Sequence, residues 1–298
     1  MNTQLEIKYI YFGSSRFSVI VLDELKKIGM IPNIIVTTPA KPRGRKLLIM
    51  PNEVEEWAKI NYIQYFSPSK FDTAFIEELT SCTQNNDVKV FIVASYGKII
   101  PKKIIDIPKH GILNIHPSLL PKYRGPSPLQ TAMLEDAKSS GITIMKIDEE
   151  MDHGSIISQK IVNIDEWPTY EEYEELMARV GANLVAEVLP SWISGSIGAK
   201  EQDHANASYT KKIQKDDASA HADILNLDSI SSEDQYTIFR KIQAYHGWPQ
   251  VFFLAERKGQ RIRVKITSAN FIDGKLAILK VIPEGSKEMS FDDFKRGL

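Results

Sequence analysis

One stretch of the chain, Ile112–Gly125, constrains the fold more than any other. It reads I-L-N-I-H-P-S-L-L-P-K-Y-R-G, and its apolar start is typical of the end of a buried strand. The prolines and the glycine that follow exclude a helix from the next loop. Asn114 and His116 are two residues apart, so on a strand both side chains point to one face. The sequence predicts an amide beside an imidazole at the carboxyl end of a strand, where open α/β sheets bind ligands.

The beginning of the chain predicts a β-α-β unit. Tyr9–Phe12 is a short apolar run that ends at Gly13, and Phe17–Ile28 has apolar residues at helical spacing. Ile34–Thr37 is the second strand. The fold class is therefore α/β, with a Rossmann-like domain. Only Gly13 of the dinucleotide-binding glycine set is present, so the sequence does not support nicotinamide binding.

Alternating strands and helices continue through the middle of the chain. Val88–Ala94 is rich in β-branched residues and predicts a buried strand. A long amphipathic helix is expected from Thr169, its N-cap, to about Leu189, just before Pro190. The other expected helices are Glu53–Ile60, Asp72–Leu79 and Pro128–Glu135, and the other strands are Tyr62–Tyr65, Gly141–Ile147 and Ile156–Val162.

The last third of the chain differs in composition from the rest. Ser191–Ser208 is rich in Gly, Ser and polar residues and predicts a linker. A short helix, Ile238–Tyr245, and three strand-like runs follow, and this pattern indicates a small β-barrel or sandwich. The three runs are Val251–Leu254, Ile262–Ile266 and Lys275–Val281. We expect a first domain over residues 1–190, a linker over 191–208 and a smaller β-rich domain over 209–298.

Composition limits the class of protein. With 298 residues, 43% hydrophobic and 25% charged, the chain has room for two globular domains. The single cysteine, Cys82, excludes an internal disulfide framework and a multi-cysteine metal site, and it fits a reducing compartment. No apolar run approaches a membrane span, and the N-terminus does not resemble a signal peptide. We expect a cytoplasmic monomer with no membrane partner and no metal.

A basic segment, Thr38–Pro51, interrupts the regular pattern. It contains three prolines, a glycine and four cations, and it has no acidic residue. Such a segment is either a solvated loop or an irregular loop that grips phosphates, and the residues alone leave both readings open. The four cations are Lys41, Arg43, Arg45 and Lys46.

Together with M-D-H-G at Met151–Gly154, the stretch Ile112–Gly125 resembles the folate-dependent formyltransferases, most closely those that act on methionyl-tRNA. The resemblance covers nearly the full length and implies a Rossmann-like formyltransferase domain followed by a shortened OB-like domain. It also implies that Asn114 and His116 stabilise the oxyanion formed when an amine attacks the formyl carbon. Asp152 would orient His116, favour its protonated form and assist proton transfer. Asp148 and His153 are competitors, but only Asp152 matches the family's D-x-G placement.

The resemblance implies 10-formyltetrahydrofolate as the co-substrate, with no metal. Two segments are its expected contacts, although for the second the residues alone favour plain core packing. The contacts are Ser118, Leu119, Leu120 and Pro121 in the loop, and Lys98, Ile99 and Ile100 after the buried strand.

The acceptor implied by the resemblance is initiator methionyl-tRNA, whose formylation serves the initiation of translation. Pro42, Gly44 and Arg45 match a basic loop of that enzyme group, whereas Ala40 departs from it. The expected tRNA contacts are the four cations of the basic segment together with Arg261, Arg263 and Lys265. Two alternatives remain. One is a formyltransferase for another amine, such as an amino-sugar nucleotide, and the other is a nucleic-acid-binding protein on a degenerate enzyme scaffold.

Overall fold

The structure is a computed structural model that describes residues 7–43, 48–220, 223–257 and 259–298. Arg45 and Lys46, two of the expected tRNA contacts, lie outside the described residues, as does Gly44 of the same motif. The chain divides into two compact units. The first comprises Met1–Gly125, Ser140–Val162 and Glu175–Tyr209, and the second comprises Pro126–Ser139, Asn163–Glu174 and Thr210–Leu298. The division at residues 190 and 209 that the sequence suggests stays a prediction.

A twisted sheet forms the centre of the first unit. The strands up to residue 163 are β1 (Tyr9–Gly13), β2 (Ile34–Val36), β3 (Lys41–Arg43), β4 (Leu48–Met50), β5 (Gln64–Phe66), β6 (Val90–Ala94), β7 (Ile112–His116), β8 (Ser139–Lys146) and β9 (Ile156–Asn163). Among the described residues, seven of them form one sheet in the order β5-β2-β1-β6-β7-β8-β9. The first five in this order run parallel, and β8 is antiparallel to β7. This confirms the Rossmann-like α/β fold and brings the carboxyl ends of the parallel strands to one edge.

Local signals explain where the early helices begin. The helices of this part are α1 (Arg16–Lys27), α2 (Glu53–Ile60), α3 (Thr73–Asn85), α4 (Lys102–Ile105), α5 (Pro128–Leu134) and α6 (Tyr170–Ser194). Ser15 caps α1 by accepting a hydrogen bond from the Ser18 amide, and Asp72 caps α3 through the Phe75 amide. Each cap satisfies a backbone donor that the helix itself leaves unpaired. The expected starts of α1, α2 and α3 are therefore confirmed to within about a residue.

Helix α6 is longer than expected. The sequence predicts an end near Leu189, but the helix continues through Pro190 to Ser194, so residues 191–194 are helical. Proline removes one backbone donor from a helix interior, which is why it predicts a stop. Here the indole of Trp192 donates to the carbonyl of His110 at 2.9 Å, and this tertiary contact fixes the last turn. Residues 195–208 belong to the first compact unit.

The basic segment is more regular than expected. Strands β3 and β4 pair antiparallel, with Lys41 opposite Met50, whereas the sequence suggests an irregular loop. The three residues of β4 are exposed and apolar, so they lack the inward-facing side chains by which a strand is recognised in a sequence. Asn52 fixes the end of this hairpin: its side chain accepts from the amides of Val54 and Glu55 and donates to the carbonyl of Thr38.

The second unit is β-rich, as expected. Its later elements are α7 (Ser232–Ala244), β10 (Phe252–Arg257), β11 (Gln260–Ile272), β12 (Lys275–Pro283), β13 (Met289–Ser290) and α8 (Phe291–Arg296). The four strands form one antiparallel sheet in chain order. Helix α7 begins six residues before the predicted Ile238, because Ser231 caps it through the Asp234 amide. In the described parts of the chain, no helix is long and apolar enough to cross a bilayer.

Candidate active site

The three residues expected to act in catalysis lie together. Asn114 and His116 are two residues apart on the same face of β7, and His116 is buried. Asp152 lies in the turn between β8 and β9. Its Oδ1 is 3.4 Å from Asn114 Nδ2 and 3.6 Å from His116 Nδ1. Their proximity depends on the pairing of β7 with β8, because antiparallel strands return the chain to the same region of the sheet.

The ring of His116 lies between two acceptors. Its Nε2 is 3.0 Å from the carbonyl oxygen of Tyr123, and its Nδ1 faces the carboxylate of Asp152. A carbonyl oxygen only accepts hydrogen bonds, so Nε2 must carry the hydrogen. The other ring nitrogen, Nδ1, is 3.6 Å from Asp152 Oδ1, which is longer than a hydrogen bond.

The backbone of the Asp152 turn is tightly constrained. Asp152 has a φ of 50°, in the left-handed region, which Asp tolerates better than most residues. Its Oδ2 accepts a 2.7 Å hydrogen bond from the amide of Gly125. At Gly154, a Cβ would lie 1.8 Å from the carbonyl oxygen of Lys146, so only glycine fits beside β8. The structure thus gives a physical reason for both the aspartate and the glycine of the D-x-G pattern.

Side chains of β8 and β9 hold the backbone of the loop at residues 118–121. Thr143 Oγ1 donates to the carbonyl of Ser118 at 2.6 Å and accepts from the amide of Leu120 at 3.0 Å. Gln159 adds hydrogen bonds to the Leu120 carbonyl and to Thr143. The hydroxyl of Ser118 donates a hydrogen bond to the carbonyl of Lys122. The peptide bond between Leu120 and Pro121 is cis. Ser118 and Leu120 are therefore buried parts of the loop, while Leu119 and Pro121 are partly exposed.

The other three residues expected to bind the folate have different surroundings. Ile100 is buried in the apolar core, as its packing alternative predicts, whereas Ile99 is 80% exposed. Lys98 donates to the carbonyl oxygens of Pro68 and Ser69. Burial, and secondarily the charge of Lys41, lowers the pKa of Lys98. Of the three, Ile99 is the side chain most accessible to a ligand.

A cavity of about 780 Å³ lies beside the Asp152 turn. Its walls include Ile105 at the end of α4, residues 147–150, and His153. None of the seven expected folate contacts lines it. His153 Nδ1 is 2.7 Å from Asp148 Oδ2, so the two competitors of Asp152 form their own pair on the cavity wall. The sequence gives one clue to this wall, since residues 147–150 directly precede the D-x-G pattern.

Two buried polar residues near the site escape sequence reasoning. Arg124 is 1% exposed and Gln202 is 4% exposed, and their side chains form hydrogen bonds with each other. Arg124 belongs to the stretch that resembles the formyltransferases, but its neighbours do not reveal that it is buried. Gln202 lies in the segment expected to be a linker, where no local signal marks it.

Among the described residues, the cations expected to contact tRNA lie on two strands, one in each compact unit. Lys41 is exposed on β3, whose backbone also includes Arg43. On β11, Arg261, Arg263 and Lys265 occupy alternate positions, so they share one face of the strand. The guanidinium of Arg263 lies 3.3 Å from the ring centre of Phe252, and Lys265 Nζ donates to Gln250 Oε1 at 3.0 Å.

Comparison with known proteins identifies the class to which this fold and site belong. A family model described as formyl transferase matches residues 6–189, so the chain belongs to the formyl transferase family. The methionyl-tRNA formyltransferase of Thermotoga maritima is 31% identical, with 98% of this chain and 95% of the relative covered. That of Thermodesulfovibrio yellowstonii is 32% identical, with 97% and 95% covered. Within the family, both of these relatives are methionyl-tRNA formyltransferases.

Solved structures agree with this fold. A methionyl-tRNA formyltransferase from Clostridium thermocellum matches with a TM-score of 0.60 and 15% identity, covering 95% of this chain and 99% of the other. A sugar N-formyltransferase from Shewanella matches with a TM-score of 0.61 and 15% identity, covering 88% and 98%. At this identity the likeness shows the fold alone, and it does not distinguish one acceptor from another.

Proposed function

We propose that this chain transfers the formyl group of 10-formyltetrahydrofolate to the α-amine of initiator methionyl-tRNA. The observation that carries the proposal is the convergence of Asn114, His116 and Asp152 at the carboxyl end of β7. The names of the relatives that match nearly the whole chain support tRNA as the acceptor. The proposal includes a cytoplasmic location and keeps the sequence-based expectation of a monomer.

The geometry supports a role for two donors in stabilising the tetrahedral intermediate. Asn114 Nδ2 and His116 Nδ1 both face Asp152 Oδ1, at 3.4 and 3.6 Å, distances longer than a strong hydrogen bond. An oxyanion bound beside Asp152, within reach of both nitrogens, would accept hydrogen bonds from them. Donors aimed at developing charge stabilise the transition state more than the ground state. Asn114 and His116 are thus the proposed oxyanion donors.

Asp152 is the proposed acceptor of the amine proton. When the amine nitrogen bonds to the formyl carbon, it must lose a proton, and the departing folate nitrogen must gain one. Asp152 Oδ2 is held by the Gly125 amide, which leaves Oδ1 for proton transfer. His116 supplies a proton to the departing folate nitrogen and regains one from Asp152. The new C–N bond forms first, to give the tetrahedral intermediate, and the C–N bond to folate then breaks, so that no net proton is gained or lost.

The cavity beside the Asp152 turn is a suitable place for the folate ring system. Its volume of about 780 Å³ lies in the range of small-molecule sites. Ile105 and Ile147 are apolar residues of its wall, and Asp148, Glu149 and Glu150 are polar ones that can form hydrogen bonds. The expected contacts at residues 98–100 and 118–121 stay part of the proposal, with Ile99 as the accessible side chain and the loop as support.

The two basic groups are the proposed contacts for the phosphates of tRNA. In the first unit these are Lys41, Arg43, Arg45 and Lys46, and in the second they are Arg261, Arg263 and Lys265. Arg261 is exposed, whereas Arg263 and Lys265 are partly buried by Phe252 and Gln250. Arg261 is therefore the residue of this strand best able to reach a phosphate.

A comparison of acceptors tests the proposal. The purified protein is supplied with 10-formyltetrahydrofolate and, in parallel reactions, with initiator methionyl-tRNA or an amino-sugar nucleotide. We expect formylation of the charged tRNA and none of the sugar. Formylation of the sugar alone would establish the first alternative, and tRNA binding without transfer to either acceptor would establish the second.

A further inference from the structure

We propose that Arg124 and Gln202 are a pair of positioning residues that fix Asp152 against His116. This inference rests on the proposed function, because it explains how the catalytic side chains are held. Neither residue touches the space where the formyl group would lie in the proposed mechanism. They act through the backbone on both sides of the site.

The side chain of Gln202 joins Arg124 to the Asp152 turn. Its Oε1 accepts from Arg124 Nε at 3.2 Å and from Nη2 at 2.7 Å. Its Nε2 donates to the carbonyl oxygens of Asp152, at 2.9 Å, and Gly154, at 2.7 Å. The amide therefore uses two donors and two acceptor positions, which is its full capacity. The partners also fix its orientation, since a guanidinium only donates and a carbonyl only accepts.

The backbone of Arg124 lies between two contacts to the catalytic residues. The carbonyl of Tyr123, just before it, is the partner of His116 Nε2, and the amide of Gly125, just after it, donates to Asp152 Oδ2. Any movement of Arg124 would therefore disturb both catalytic side chains. The guanidinium also meets His204 Nδ1 at 2.8 Å and Tyr209 Oη at 3.2 Å, so this buried charge is well supplied with partners.

Three neighbouring residues of the site have left-handed backbone. The φ angles are 62° at Tyr123, 113° at Gly125 and 50° at Asp152. Non-glycine residues keep this conformation only where the surrounding structure over-determines it. The bridge from Arg124 through Gln202 supplies that constraint, because it joins the turn at residues 123–125 to the turn at 152–154. This link between the two turns therefore sets the distance between His116 and Asp152.

Gln202→Glu is the sharpest test of the pair. The substitution keeps the size of the side chain and its acceptor for Arg124, but it places an oxygen against the carbonyls of Asp152 and Gly154. Gln235→Glu is the matched control. Gln235 is also buried, donates to two carbonyls (Leu227 and Ile230) and accepts from the amide of Leu276. It lies in the second unit and forms no part of the proposed machinery.

We expect kcat for formylation to fall about 10–100-fold in Gln202→Glu, as is typical when the partners behind functional ligands are changed. The KM for 10-formyltetrahydrofolate should stay within about threefold, because the contacts concerned matter in the transition state. Gln235→Glu should lower the melting temperature about as much as Gln202→Glu does, while its kcat stays at the parent's value. A kcat in Gln202→Glu within twofold of the control would overturn the proposal.

A second readout separates this inference from the proposed function. The imidazole NMR signals of His116, recorded on the folded full-length protein, report its surroundings whether or not tRNA is the substrate. They should move in Gln202→Glu and stay in place in Gln235→Glu. If the parent protein fails to formylate tRNA but the His116 signals move as expected, the function is wrong and the positioning pair stands. Unchanged signals would refute the pair.

Discussion

The two carboxylate oxygens of Asp152 have different surroundings. Oδ2 accepts a short hydrogen bond from the amide of Gly125, which fixes the carboxylate in one orientation. Oδ1 faces Asn114 and His116 at longer distances. One oxygen is thus held by the backbone, and the other is the one that the proposed mechanism uses. A side chain of the same shape but without charge should keep the first role and lose the second.

Asp152→Asn tests this division. An amide cannot take up the amine proton, so kcat should fall by about 100-fold or more, the range for losing a positioned acid-base group. Removal of one oxyanion donor, as in Asn114→Ala, should reduce kcat by a similar ~10²–10³-fold. The dissociation constant for folate, measured by fluorescence titration, should change little in both. Asp87→Asn, which removes an exposed carboxylate, serves as control. Near-normal turnover in Asp152→Asn would remove this residue from the mechanism.

Gly154 is required by the close approach of its backbone to that of β8. Any Cβ there would lie 1.8 Å from the Lys146 carbonyl oxygen, so Gly154→Ala must displace the turn that carries Asp152. We expect a loss of about 1–3 kcal/mol in the free energy of unfolding, as for overpacked interiors, and a large loss of formylation. Gly198→Ala is the control, because nothing lies within 4 Å of its added methyl group. Urea unfolding and the formylation assay measure the two effects.

The hairpin of β3 and β4 combines a fixed end with an exposed apolar strand. Asn52 holds the end through three backbone contacts, and Leu48, Ile49 and Met50 are exposed, with Ile49 at 76%. Lys41 stands on the opposite strand, paired with Met50. An element of this kind presents cations and apolar side chains together, which suits the end of a nucleic acid where phosphates and bases are both accessible.

Lys41→Ala tests the role of the hairpin in binding tRNA. If Lys41 meets a phosphate, its loss should weaken tRNA binding and flatten the dependence of log Kd on log salt by about one unit. Folate binding should stay unchanged. Lys27→Ala provides a matched loss of one exposed cation, since Lys27 pairs with Glu24 on α1. Equal salt dependence in Lys41→Ala, Lys27→Ala and the parent would show that the hairpin is only a solvated surface.

The sequence predicts the end of a helix well when that end depends on residues next to it in the chain. The starts of α1 and α3 follow from Ser15 and Asp72, whose side chains cap the adjacent turn. The predicted end of α6 was wrong. A contact between residues far apart in the sequence, Trp192 and His110, stabilises the last turn despite Pro190. The hairpin was missed because its exposed strand has no alternation of buried and exposed residues.

The site as a whole required the topology of the sheet. The pair Asn114 and His116 follows from the alternation of side chains on one strand, so the sequence predicts it. Their proximity to Asp152 depends on the antiparallel return of β8, which no local pattern specifies. Gln202 is still farther along the sequence from β7. It makes two contacts to the Asp152 turn, but its segment has the composition of a linker. Resemblance to a family supplied the three proposed catalytic residues, while the contacts that support them could be found only from coordinates.

The central sheet also determines how the molecule responds to alkaline pH. Tyr9 and Tyr11 on β1 are completely buried, and their hydroxyls donate to the carbonyls of Met30 and Ser18. Burial raises the pKa of both phenols well above the ordinary value of 10.0. Above about pH 10 the unfolded chain therefore loses protons that the folded chain retains. Stability is fully present below this pH and falls as the pH rises through it.

Tyr11→Phe isolates one of these protons. The parent's free energy of unfolding should fall above pH 10 with a slope that includes about 1.4 kcal/mol per pH unit for each buried phenol. Tyr11→Phe should lose about 1 kcal/mol at pH 8, where it lacks one buried hydrogen bond, yet show a shallower slope by one proton above pH 10. Tyr62→Phe is the control, because Tyr62 is 95% exposed and its substitution leaves the core unchanged. Urea unfolding followed by circular dichroism between pH 8 and 11 measures all three proteins. Parallel curves for Tyr11→Phe and the parent would mean that the phenol of Tyr11 ionises within the folded core, contrary to its burial.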